Sequence, residues 1–146
     1  MKNRIYFFAL AIALCFMFLR GKAIAQEEGG NIYVVTTWKT VMPEGGSEAE
    51  RDSLLQEWIE GTVEKNDKIL SQKHLSHYYG SDLRDWVVIG EYKTWADIDE
   101  ASKISQELAK KKWPDDKERE EFSRKLLKYF GTHSDEIYME QPKFGK

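Results

Sequence analysis

A hairpin in the middle of the chain constrains the fold more than any other stretch. Residues 74–92, HLSHYYGSDLRDWVVIGEY, hold two runs of β-branched and aromatic residues joined by polar turn residues. They read as strands over Lys73–Gly80 and Asp85–Lys93. Strand and helix signals precede this hairpin, and helix and strand signals follow it. A first strand is expected over Asn31–Thr40 (NIYVVTTWKT), with Ile32, Val34 and Trp38 on one face and Tyr33 and Val35 on the other. A strand apolar on both faces is covered on both.

The connecting segments read as helices. Ser47 opens the first, with Glu50 at capping-box spacing. Leu54, Leu55, Trp58, Ile59, Thr62, Val63, Asn66, Ile69 and Leu70 then recur at three- and four-residue steps, an amphipathic helix of about six turns. Thr94, with Asp97 three residues on, opens the next, whose stripe is Trp95, Ile98, Ala101, Ile104 and Leu108. Pro114 interrupts it and restarts a helical piece over Pro114–Phe130 that Gly131 stops. Glu136–Glu140 is the last strand, ended by Pro142, and 142–146 is a tail. The order β-α-β-β-α-β is the ferredoxin-like arrangement, an α+β fold. It predicts a four-stranded antiparallel sheet with the helices on one face, the second helix broken near Pro114, in a single domain over 31–141. Apolar residues on the open face call for a second sheet packed against it, so the partner expected is a second copy of the chain.

The start of the chain has a different character. Lys2 and Arg4 precede an unbroken apolar run, Ile5–Leu19, and Ala23-Ile24-Ala25 places small residues where a signal peptidase reads. As a helix that run spans roughly 22 Å, short of a ~30 Å hydrocarbon core. The expectation is therefore a signal peptide over 1–25, cleaved near Ala25, with export to the periplasm or beyond and no stable membrane anchor; an uncleaved anchor is the rival. Residues 26–30 form a polar lead-in. The one cysteine, Cys15, falls inside the apolar run, so the remainder can form neither disulfides nor cysteine metal sites. Four of the 22 basic side chains also lie in 1–25, which holds no acid. The rest carries 18 basic against 25 acidic groups, net −7. Such a domain is poorly suited to nucleic acid or an anionic membrane.

With these elements in order, the chain resembles the dimeric α+β barrel superfamily, which includes antibiotic-biosynthesis-type monooxygenases and uncharacterised exported members. The resemblance rests on IYVVTTWKT followed by a long helix, on VVIGEYKTWADIDEA, and on HSDEIYMEQP. It covers about Asn31 to Gln141 and implies the fold and a homodimer. No diagnostic catalytic motif accompanies it.

Candidate chemistry is sparse. His74 and His77 are three apart, so on a strand they face opposite ways and cannot share a metal; no metal site is expected. A haem needs one axial histidine, which His74, His77 or His133 could supply, but the leading expectation is no cofactor. In one register of the hairpin Tyr79 pairs with Trp86, and His74 then lies opposite Glu91. Tyr78, Ser76, His74, Val87, Ile89 and Glu91 share one face, and Leu75, His77, Tyr79, Trp86, Val88 and Gly90 the other. A slipped register reverses the sets and brings His77 near Glu91. A His74–Glu91 pair in an apolar cavity suits proton abstraction from a phenol or enolisable ketone; its bland counterpart is a buried polar pair with satisfied hydrogen bonds. Trp38, Trp58, Tyr78, Trp86 and His133 are the candidate walls of a pocket for a flat apolar ligand. Two functions stay open: a homodimeric binding module for a small apolar or aromatic ligand, and a cofactor-free, monooxygenase-like enzyme, with a haem-binding barrel behind both.

Overall fold

The computed structural model describes residues 29–145. The expected signal peptide and its cleavage point lie outside the described residues. Strand β1 (Ile32–Thr40) leads through a loop to helix α1 (Glu48–Trp58) and a π turn (Ile59–Val63). Then come β2 (Ser71–Ser76), β3 (Asp85–Tyr92), helix α2 (Trp95–Lys112), helix α3 (Asp116–Leu127) and β4 (Phe130–Met139). The strands form one antiparallel sheet in the order β2-β3-β1-β4. This is the ferredoxin-like α+β fold.

Both helix starts carry the expected caps. Thr94 and Asp97 form a reciprocal capping box at the head of α2. At α1, Ser47 Oγ accepts from the Glu50 N–H at 3.1 Å, but the return bond is relayed. The Ser47 N–H donates to the Tyr129 hydroxyl at 3.2 Å, and that hydroxyl donates to the Glu50 carboxylate. Tyr129 is fully buried, so the relay ties the first helix to the end of the last. The bonds from Tyr129 and Lys128 hold the Glu50 carboxyl below its ordinary pKa.

Three elements depart from the sequence expectation. The first helix is not continuous for six turns. After Trp58 it widens into a π turn, closed by Glu64 N–H to Ile59 O at 3.0 Å. Gly61 there lies against α2, where an added Cβ would come 3.3 Å from Lys112 Cγ. Buried Asn66 then donates to Ala101 O and Ser105 Oγ, both at 2.8 Å, pinning the segment to α2. Next, the break at Pro114 is present, but Asp115 is the cap of α3, accepting from the Lys117 and Glu118 N–H groups, and the helix starts at Asp116, two residues after Pro114. Last, α3 ends at Leu127 and Gly131 belongs to β4. A bulge there sets Trp38 opposite His133 but Thr40 opposite Phe130. The extra residue turns Phe130 toward the helices, and an added Cβ on Gly131 would meet Lys39 O at 3.1 Å.

The core lies between the helices. Trp113 stacks on Phe122 with ring centroids 4.1 Å apart and runs parallel to Trp58 at 6.1 Å. Ala109 and Leu126 complete it, with Leu54, Leu55 and Phe130 packed around. On the opposite side of the sheet, which no helix covers among the described residues, Val35, Val87, Ile89 and Leu75 form an apolar centre. Polar groups close it at both ends. At one, Glu91 accepts from Ser71 Oγ (2.5 Å), Asn31 Nδ2 (2.6 Å) and the Tyr33 hydroxyl (3.0 Å). At the other, Lys39 bridges Asp82 and Asp85, while Arg84 forks onto Asp82.

Candidate functional site

The strand register lays two rows of side chains side by side across the helix-covered face. One row runs Ser76, Trp86, Trp38, His133, and the next runs His74, Val88, Thr36, Asp135. Each row is apolar or small in its middle strands and polar at its edge strands. Leu55, Trp58, Phe122 and Leu126 from the helices roof these rows, and a cavity of about 380 Å³ lies between. That volume is in the usual range for small-molecule pockets, about 300–1,000 Å³. Its walls are aromatic: Phe130 meets Trp38 edge-on at 5.7 Å and Trp86 at 6.4 Å. Arg51 of α1 backs Trp86, its guanidinium 5.0 Å from the ring.

His74 is half-buried at the β2 edge of this floor. The Trp86 indole N–H donates to its Nδ1 at 3.2 Å. An indole nitrogen can only donate, so Nδ1 carries a lone pair and the ring proton sits on Nε2. That N–H faces Gln72 Oε1 at 3.4 Å, a long contact. Burial lowers the His74 pKa from its ordinary 6.5, which favours this neutral form. His74 therefore offers the cavity a donor, and its basic nitrogen is occupied.

The β4 edge offers the opposite. His133 lies against Trp38, ring centroids 4.0 Å apart, and its Nε2 is 3.5 Å from Asp135 Oδ2. Thr36 Oγ1 donates to the other carboxylate oxygen at 2.6 Å. Both side chains are about half exposed, so this edge is the mouth of the cavity.

The structure thus gathers His74, Trp38, Trp58, Trp86 and His133 around one cavity. It does not bring His74 to Glu91. His74 lies opposite Val88, and Glu91 lies opposite Ser71 on the other face of the sheet. His77 does not reach Glu91 either. It follows β2 in the loop, its Nε2 2.6 Å from Tyr79 O. Tyr78 is 97% exposed in the same loop and is not among the residues lining this cavity. The reason is the length of the connection. Strand β2 ends at Ser76, and the Asp82 cluster with Lys39 and Arg84 holds an eight-residue loop where strand was expected to continue to Gly80 and leave only residues 81–84 as the turn. Glu91 is instead a saturated acceptor, its pKa lowered chiefly by Ser71 and then by Asn31. Sequence reasoning missed Gln72, Thr36 and Asp135. For Asp135 a signal existed: it sits two residues from His133, the spacing that puts both on one face of a strand. Among the described residues no three His, Cys, Asp or Glu side chains converge as metal ligands, and no helix is long and apolar enough to cross a membrane.

No protein-family model and no curated protein matches the chain. Solved structures do resemble it. A NIPSNAP family protein of unknown function from Agrobacterium tumefaciens superposes with a TM-score of 0.55 at 14% identity, over 76% of this chain and 88% of that one. SnoaB, a cofactor-independent oxygenase from Streptomyces nogalater, gives 0.48 at 9% identity over 77% and 94%. A dimeric ferredoxin-like protein from an uncultured marine organism gives 0.49 at 12% identity over 80% and 93%. The first is a likeness of fold. Neither of the other two is similar enough to bear on this chain's chemistry.

Proposed function

We propose that the chain is an exported, homodimeric α+β barrel module, released by cleavage near Ala25, that binds a small apolar or aromatic ligand in the cavity between sheet and helices. The observation that supports this most is the aromatic cavity itself: three indoles and two phenyl rings around about 380 Å³, with its imidazole, amide and carboxylate groups on the two edge strands and, apart from the indole N–H groups, only the Thr36 and Ser123 hydroxyls elsewhere. Pockets for flat ligands have this composition. The second copy is the natural cover for Val35, Val87, Ile89 and Leu75 on the helix-free face, because half-covered apolar surface on a sheet gains about 25 cal/mol per Å² when removed from water.

Two measurements test the reading on the purified chain. Titration with naphthalene-type ligands should quench the fluorescence of Trp38, Trp58 and Trp86 saturably; no saturable change with any flat aromatic would remove the ligand. Light scattering should give twice the chain mass; a single-chain mass at micromolar concentration would remove the barrel.

One observation keeps a second reading alive, a cofactor-free oxidation of an enolisable aromatic by dioxygen in this same cavity. It is the imidazole–carboxylate pair at the mouth, His133 with Asp135, a pairing able to accept a substrate proton. Oxygen uptake with an anthrone- or quinol-like substrate, lost in His133→Leu, is its test.

A further inference from the structure

The two rows of the cavity floor give its ends opposite hydrogen-bonding characters. His74 and Asp135 terminate the same row on the two edge strands, with Val88 and Thr36 between them. Three inter-strand steps of about 4.8 Å set their backbones about 14 Å apart, with room between the side chains for a flat ring system lying across the floor. At the inner end His74 can only donate, because the Trp86 N–H occupies its Nδ1 and leaves the Nε2–H beside Gln72 in the cavity lining. Its present partner, Gln72 Oε1, is 3.4 Å away and readily displaced by a better acceptor. The outer end accepts. Asp135 takes one bond from Thr36 and keeps acceptor capacity beside His133.

We propose, on the reading of the cavity as an aromatic-ligand site, that its ligand is a planar aromatic with a carbonyl at one end and a hydroxyl at the other. The carbonyl enters first and accepts from His74 Nε2–H. The hydroxyl stays at the mouth and donates to the Asp135 carboxylate, while His133, lying against Trp38, borders the ring. His74 is thus a specificity-determining donor and not a base, held in its tautomer by Trp86.

Four probes separate these contributions: 6-acetyl-2-naphthol, 2-acetylnaphthalene, 2-naphthol and naphthalene, each titrated by tryptophan fluorescence. Against naphthalene, the carbonyl should tighten binding about 3- to 10-fold, as one neutral hydrogen bond does, and the hydroxyl about tenfold or more, as a bond to a carboxylate does. His74→Leu should lose the carbonyl gain and leave 2-naphthol unchanged, and His74→Gln, which keeps a donor, should restore part of it. Asp135→Asn should lose most of the hydroxyl gain and leave 2-acetylnaphthalene unchanged. Four equal affinities would overturn the proposal while leaving an aromatic site standing, whereas four probes that do not bind would remove that site itself. If either variant does not fold, the wild-type probe series alone decides.

Discussion

The two faces of the sheet carry similar residues and meet different fates. Under the helices, Trp38, Trp86, Val88 and Phe130 are enclosed by Leu55, Trp58, Phe122 and Leu126, and the imperfect fit leaves a cavity. On the far side, Val35, Val87, Ile89 and Leu75 have no cover among the described residues, and hydrogen-bonded charges fence them at both ends. The helix-covered face is finished by folding, and the other is the face proposed above for association with a second copy. Substitutions on the first should cost stability of the single chain, and those on the second should cost assembly.

The largest effect expected is on the covered side. Trp113→Ala removes the ring between Trp58 and Phe122 and should lower the unfolding free energy by about 3–5 kcal/mol in urea, with ligand quenching reduced because Trp58 loses its support. A loss below about 1 kcal/mol would mean that Trp113 does not organise the roof. On the other side, Ile89→Lys should weaken the proposed dimer by about 3 kcal/mol per buried ammonium. The expected result is a halved mass by light scattering with an unchanged far-ultraviolet spectrum; collapse of the monomer's secondary structure would show that the face matters within one chain. Tyr129→Phe is the next step down. It leaves the Ser47 N–H without its relay to Glu50 and should cost about 1–2 kcal/mol, read as a shift in the urea midpoint.

The smallest effect is in pH. Because the folded-state pKa of His74 lies below its ordinary 6.5, the unfolded chain takes up a proton first as pH falls. Its contribution is therefore whole above pH 6.5 and declines as pH drops through the folded value. Glu91, also lowered, adds a second decline below its ordinary 4.5. His74→Gln should flatten the upper of these two steps and leave the lower; an unaltered profile would place the titration elsewhere.

Element order and caps were legible because periodicity and short-range polar pairs carry them: Ser47, Thr94 and Asp97 act locally, and Pro114 breaks a helix wherever it falls. The tryptophans were legible as a wall because large apolar residues inside elements converge on one layer. The hairpin register was not. His77-Tyr78-Tyr79 has strand composition, yet Lys39, distant in sequence, holds Asp82 and Asp85 and lengthens the loop. That shift put His74 opposite Val88 on the face with the cavity and separated it from Glu91. Strand β4 was half hidden for a related reason. Its GTHSD stretch lacks alternating hydrophobicity, since an edge strand is held through backbone bonds to β1 more than through buried side chains.

A π turn is an α-helix with one residue too many. Cutting one residue from Ile59–Val63 would restore an even spiral, draw the downstream chain back by about 1.5 Å and swing it through about 100°. Asn66 would then point away from Ala101 and Ser105. The surplus residue is thus a spacer that lets Trp58 and Asn66 face their separate neighbours at once, and the length of this segment is as much a part of the protein's specification as its spelling.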